Sequence, residues 1–187
     1  MSRPEIRNGE WTAGIPTSAG EFQARYSAAG LCGLAFPGRT ARRHSEASAA
    51  LPAEIQRWHA ATVKALNQAL AGQALAHPPP LDLSRGTDFQ QRVWQTLRKI
   101  APGQTWSYAE VAQAIGNPNA VRAVGGACGA NPIPVFVPCH RVLAANHRLG
   151  GFSGGLHWKR KLLAVEGLNP AEYPSPPLRP SRPLREA

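Results

Sequence analysis

"SYAEVAQAIGNPNAVRAVGGACGAN", residues 107–131, decides what kind of fold this chain adopts. Ser107 followed by Glu110 is a capping-box signature that opens a helix, and Gly116 supplies its stop. "NPN" is too short for anything but a tight connection, and "AVRAVGGACGAN" predicts a second helix behind it. Two short helices across such a turn form a helix-turn-helix. The second helix is built almost wholly of Ala, Gly and Val, with Arg122 as its only charge. Reading base edges takes long donors and acceptors, so a sequence-specific regulator is disfavoured. Two readings stay open. The helix is either buried among its neighbours, or it presents a low profile to a nucleic-acid groove, with Arg122 alone long enough to enter the base stack. Gly125 and Gly126 lower helix stability and allow close backbone approach.

Upstream, "TDFQQRVWQTLRKI" carries a capping box at Thr87 and Gln90 and sets Phe89, Val93, Leu97 and Ile100 on one face. "HPPPLDLSRG" precedes it and breaks any helix. It marks the boundary between a segment 1–80 and a segment 81–168. In the first segment, residues 1 to about 18 read as a polar, poorly ordered lead. "EFQARYS" and "LCGLAF" read as two strands of a hairpin turning at "AAG", and "GRTARRHSEASAA" as a basic loop. A helix is expected from Pro52 to Ala71, with Ile55, Trp58, Ala65, Leu66 and Leu70 at helical spacing. The fold class is therefore α/β of the α+β kind: a small N-terminal sheet-plus-helix domain and a mainly helical C-terminal domain.

Downstream lies "NPIPVFVPCHRVL", residues 131–143. Val135, Phe136 and Val137 read as a buried strand, which delivers Cys139, His140 and Arg141 in succession. A cation beside a thiol favours the thiolate, the nucleophilic form, so Cys139 is a candidate nucleophile. Neighbours on a strand point to opposite faces, so contact between Cys139 and His140 needs a turn or a bridging water. Orienting His140 takes a third group. Glu166 is the candidate, since it stands in the last turn of a helix against the dipole with no basic partner at i−3 or i−4. An exposed helix-end glutamate is the alternative. The loop "AANHRLGGFSGG" leads into a final helix, "LHWKRKLLAVEG", ending at Gly167. The Pro-rich segment 169–187 reads as a disordered tail.

The whole chain bounds these readings. Lys and Arg number 21 against 11 Asp and Glu, a net charge of +10. That excess favours a polyanion, most simply nucleic acid; a basic tail does not account for it. No stretch reaches the ~20 apolar residues of a membrane span, and the N-terminus lacks an apolar signal core. The three cysteines, Cys32, Cys128 and Cys139, include no C-x-x-C pair. Neither structural zinc nor a disulfide framework is expected, and a reducing cytoplasm is the default.

The segments "GTDFQQRVW", "GQTWSYAEVAQAIG", "AVRAVGGACGANPIPVFVPCHRV" and "GGFSGGLHWKRKLLAVEG", between Gly86 and Gly167, resemble the O6-alkylguanine-DNA alkyltransferases. The resemblance implies a ribonuclease H-like N-terminal domain. It implies DNA repair by direct damage reversal, with the alkyl group of O6-alkylguanine moved irreversibly onto Cys139 and O4-alkylthymine left open as a second substrate. By the same resemblance, His140 through a water and Glu166 would maintain the thiolate, and Tyr108 would donate a proton toward the departing guanine. Arg122 would replace the flipped nucleotide, and Ser107, Tyr108, Ala123, Gly125 and Gly126 would face the minor groove with little sequence preference. Asn131 would be the hinge between helix and acceptor, and Val142, Phe152, Ser153 and Gly154 would line the guanine pocket. No cofactor and no metal are implied, and the protein would act as a monomer, with cooperativity on DNA left open. Phe152 stands where the family often has Tyr, Cys128 where the family varies, and the zinc-binding cysteines of some N-terminal domains are missing. The rival readings are a damage-sensing DNA-binding module of the same fold, which Cys139 argues against, and a cysteine hydrolase or redox sensor, which would not need the glycine-rich helix.

Overall fold

A computed structural model describes residues 10–38, 51–73 and 77–174. The expected basic loop falls almost wholly outside those residues, as do the first nine residues and the chain from 175 onward.

The N-terminal half is a three-stranded antiparallel sheet in the order β1 (Trp11–Thr17), β2 (Gly20–Ser27), β3 (Gly30–Ala35). The β2–β3 hairpin is the expected one. β1 is not: residues 11–17 were assigned to the polar lead, yet they pair in unbroken register with β2 from Trp11↔Tyr26 to Thr17↔Gly20. Pro16 is tolerated because β1 is an edge strand. Alternation buries Ala13 and Ile15 on β1 and Phe22, Ala24 and Tyr26 on β2, and α1 (Ala53–Leu70) lays Ile55, Ala65 and Leu66 into the same core.

The segment after α1 continues along the free edge of β3. Leu31 donates its N–H to Pro80 O at 2.8 Å and accepts from Asp82 N at 2.8 Å. Gly30 is required there, because at its φ of +140° a Cβ would lie 2.3 Å from Pro80 O. Further along the same strand, Leu34 N–H donates to Pro132 O at 2.8 Å, so the sheet edge holds the loop that leads to Cys139.

The C-terminal half is helical. α2 (Asp88–Leu97) and α3 (Tyr108–Ala114) both start in complete capping boxes, Thr87 with Gln90 and Ser107 with Glu110. α3 and α4 (Val121–Gly129) flank a short turn at Pro118–Ala120, the expected helix-turn-helix. Trp94 of α2 donates its indole N–H to Ala127 O at 2.8 Å, tying α2 to α4. Two short strands, β4 (Trp106–Ser107) and β5 (Val142–Leu143), pair in parallel. α5 (Leu156–Val165) closes the fold, its Trp158 packed on Phe22 and Phe36 of the sheet half with ring centroids 5.2 and 4.8 Å apart. One apolar core runs through both halves. No helix among the described residues is long and apolar enough to cross a membrane.

Two further expectations change. Residues 135–137 are buried but form no strand. They make a tight turn in which Val137 N–H donates to Ile133 O at 2.9 Å and Val135 adopts a φ of +75°. The expected disordered tail starts in ordered structure, since Pro170–Glu172 form a 3-10 turn and Leu149 N–H donates to Pro174 O at 3.1 Å.

Candidate active site

Asn131 builds the turn that carries Cys139. It follows the end of α4, and both its amide oxygen and its amide nitrogen bond to groups within the next eight residues. Oδ1 accepts from Ile133 N at 3.0 Å, while Nδ2 donates to Val137 O at 2.8 Å and to Cys139 Sγ at 3.1 Å. The three prolines stiffen the loop between these anchor points. Cys139–Arg141 then form a single 3-10 turn. Successive side chains of such a turn diverge by about a third of a revolution rather than the half-turn of a strand. Cys139 therefore faces one cavity, while His140 and Arg141 turn inward to the end of α5.

There they meet Glu166. His140 Nε2 lies 2.8 Å from Glu166 Oε1, and Arg141 binds the same carboxylate through Nε at 3.0 Å and Nη2 at 2.8 Å. Arg141 Nη1 also donates to Ile100 O at 2.5 Å. Glu166 is thus a paired carboxylate and not the exposed helix-end residue of the alternative reading. Burial works to raise its pKa, but the hydrogen bonds from His140 and Arg141 outweigh it and hold the group at about 2. An ionised carboxylate only accepts, so the proton of a neutral His140 sits on Nε2. Nδ1 is then left with its lone pair, buried and with no hydrogen-bond partner among the described residues. Burial also pushes the His140 pKa down, partly offset by Glu166. Burial thus favours the uncharged imidazole, with Nδ1 turned into the protein interior.

The thiol is only 4% exposed. Burial raises its pKa, while the Asn131 hydrogen bond and the Lys159 cation pull it back. The cation that bears on the sulfur is therefore Lys159, and Arg141 is committed to Glu166. Nothing in the sequence reading singled out Lys159. The available signal was its register: Trp158, Leu162 and Leu163 form the apolar face of α5, and a lysine three and four residues before two buried leucines shares that face. Lys159 is fully buried, donates from Nζ to Val142 O at 2.6 Å and also to Leu149 O, and burial lowers its pKa to about 8.

Cys139 opens into a cavity of about 360 Å³ lined by Tyr108, Gly125, Cys128, Gly129, Phe152 and Ser153, among others. Pairing of Ser107 with Leu143 sets the first residue of α3, Tyr108, beside the chain that leaves the Cys139 turn. Burial, with Cys128 and Cys139 nearby, pushes the Tyr108 pKa up to about 12, so its hydroxyl keeps its proton. Phe152 and Ser153 line this cavity. Val142 and Gly154 are not among the lining residues: Val142 is fully buried with its carbonyl bound by Lys159, and Gly154 is pressed against the Phe36 ring, 2.5 Å from where a Cβ would stand. Ser107 uses its hydroxyl to cap α3, accepting from Glu110 N at 3.1 Å. On α4, Val124, Ala127 and Cys128 are buried, while Arg122, Ala123, Gly126 and Gly129 are exposed. A Cβ at Gly125, Gly126 or Gly129 would meet nothing within 4 Å, so packing within the protein does not explain these glycines. Among the described residues no cluster of His, Cys, Asp or Glu is arranged to hold a metal.

A buried thiol with a histidine–carboxylate pair behind it, beside a pair of short helices, defines a class of protein with a candidate nucleophilic cysteine next to a helical surface. Comparison with known proteins makes the class specific. Residues 88–168 match the family model described as the 6-O-methylguanine DNA methyltransferase DNA binding domain. The methylated-DNA–protein-cysteine methyltransferase of Mycolicibacterium paratuberculosis is 49% identical over 113 residues, covering 60% of this chain and 68% of the relative. That of Mycobacterium tuberculosis is 53% identical over 104 residues, covering 56% of this chain. The match spans 62% of that relative's length. The crystal structure of Mycobacterium tuberculosis OGT in complex with DNA superposes with a TM-score of 0.68 at 38% identity, covering 86% of this chain and 93% of that one. The chain belongs to the methylated-DNA–protein-cysteine methyltransferase family.

Proposed function

We propose that this protein repairs DNA by moving the alkyl group of O6-alkylguanine onto Cys139 in a single irreversible step. The observation that carries the reading is the position of the Cys139 thiol, which lines a cavity shared with Gly125 and Gly129 of α4. A buried thiol cannot attack in line a substituent held inside a duplex, so the damaged nucleotide must leave the stack. The side-chain-poor face of α4 lies against the minor groove with little sequence preference, Arg122 fills the gap in the stack, and the extruded base enters the cavity. Excess positive charge supports binding through phosphates.

In the cavity the Sγ–C bond forms as the C–O6 bond breaks. The thiol proton passes to His140 Nδ1, directly or through one water, and Glu166 stabilises the imidazolium. Electrons of the broken bond go to the guanine, which takes a proton from Tyr108 and leaves as a neutral base. The phenolate regains a proton from solvent and His140 gives up the one it took, so the protons balance. Asn131 holds Sγ while charge builds on it. A thioether is a poor leaving group, so each molecule acts once, as a monomer in the cytoplasm and without a cofactor.

The test is intact mass after incubation with a duplex containing one O6-methylguanine. The expected result is one added methyl, stoichiometric, mapped to Cys139 and not to Cys128, which lines the same cavity. No mass gain with tight binding to the lesion would favour the damage-sensing rival, and repeated turnover would favour a hydrolase.

A further inference from the structure

Behind the His140–Glu166 pair lies a second, much smaller cavity of about 30 Å³, bounded by His140, Arg141, Glu166, Pro102 and the end of α1 at Ala69 and Gly72. Its volume suits roughly one water. The α1 contribution comes from the N-terminal half, which supplies none of the described residues lining the acceptor cavity. Gly72 makes the approach close. It adopts a φ of +71°, and a Cβ there would stand 2.1 Å from the carbonyl oxygen of Val165, the residue before Glu166. On the other side the turn at Gly103 donates its N–H to Glu166 Oε2 at 3.5 Å. The carboxylate is thus flanked by two glycine turns from different parts of the chain.

We propose that the end of α1 is a positioning element for the reaction: Gly72 lets it close over the His140–Glu166 pair and exclude bulk water, so that His140 stays an uncharged base. The inference rests on the alkyl-transfer reading. The charged and titratable groups facing His140 are Glu166 and Lys159 from α5, with Arg141 and Cys139 from its own turn. α1 contributes none at the cavity wall, so its effect is exclusion of solvent and not charge. Water admitted there would solvate the imidazolium, and His140 would gain a proton at a higher pH than in the closed protein. A protonated His140 cannot accept from the thiol, so the acid limb of the rate profile moves upward in pH.

Two variants of the full chain test this. Gly72→Asn tolerates the left-handed backbone but brings a Cβ against Val165. Ala69→Gly opens the same wall with no clash. Single-turnover methyl transfer from an O6-methylguanine duplex is followed between pH 5 and pH 9 for both variants and the unaltered protein, with folding checked at each pH by circular dichroism. The expected result is an acid-limb midpoint about one pH unit higher in folded variants, with the rate above pH 8 and duplex affinity unchanged. An unmoved or lowered midpoint, or an equal loss at every pH, overturns the role of α1. Failure of the unaltered protein to gain a methyl would overturn the alkyl-transfer reading itself.

Discussion

Glu166→Gln removes the charge that His140 and Arg141 share while preserving its shape. Glu166 falls from an ordinary 4.5 to about 2 in the folded protein. At 1.36 kcal/mol per pH unit, that drop corresponds to a ceiling of about 3 kcal/mol. Water at the partly open carboxylate screens part of it, leaving about 2 kcal/mol. A carboxylate whose folded pKa is depressed stabilises the fold fully above its unfolded value. That stabilisation fades as pH falls from about 5 toward 2. Urea unfolding of the two proteins should therefore differ by about 2 kcal/mol at pH 7, with the gap narrowing steadily below pH 5. Because an amide supports the imidazolium less well than a carboxylate, alkyl transfer at pH 7 should also slow by about 10²-fold. A stability gap of the same size at pH 3 and pH 7 would show that the carboxylate charge does not hold this corner of the fold, and would refute the linkage drawn here.

Arg122→Ala should slow repair of a duplex by about tenfold or more while leaving reaction with free O6-alkylguanine nearly unchanged, because only the duplex needs its vacated stack filled; stopped-time assays on both substrates compare the losses, and equal losses would argue against the stacking role. Asn131→Ala leaves Ile133 N–H and Val137 O without their partners and strips the hydrogen bond from Sγ. It should cost about 2–4 kcal/mol in denaturant unfolding and raise the pH at which a thiol reagent labels Cys139.

Local signals were legible in the sequence because the contacts behind them are local. Both capping boxes close within four residues, and the structure contains both. The α1 boundaries were read almost to the residue, since Pro52 precedes the helix and the turn after Leu70 ends it. Pairing across the chain was harder to read. β1 was missed because "WTAGIPT" carries a Gly and a Pro, and its strand character comes from full pairing with β2. Val135–Val137 were rightly judged buried, but a β-branched run cannot reveal that Asn131 will fold it into a turn. At the site, Cys139, His140 and Glu166 were singled out from the sequence, and the structure pairs the last two. The Arg141–Glu166 clamp and the buried Lys159 were not, as each depends on a partner that lies 17 or more residues away.

The glycines of α4 have a consequence for how the protein can change. A helix interior is stabilised by roughly 1 kcal/mol when Gly becomes Ala, and at Gly125 and Gly126 the extra methyl would meet open space. The protein alone would thus gain stability from these substitutions, and selection for thermal robustness would find them early. Each would also thicken the one face of the helix that is nearly free of side chains. A thermostabilised variant carrying them should be sturdier in a melting experiment and poorer at reaching damaged DNA, so that screens run on heat resistance alone would select against repair.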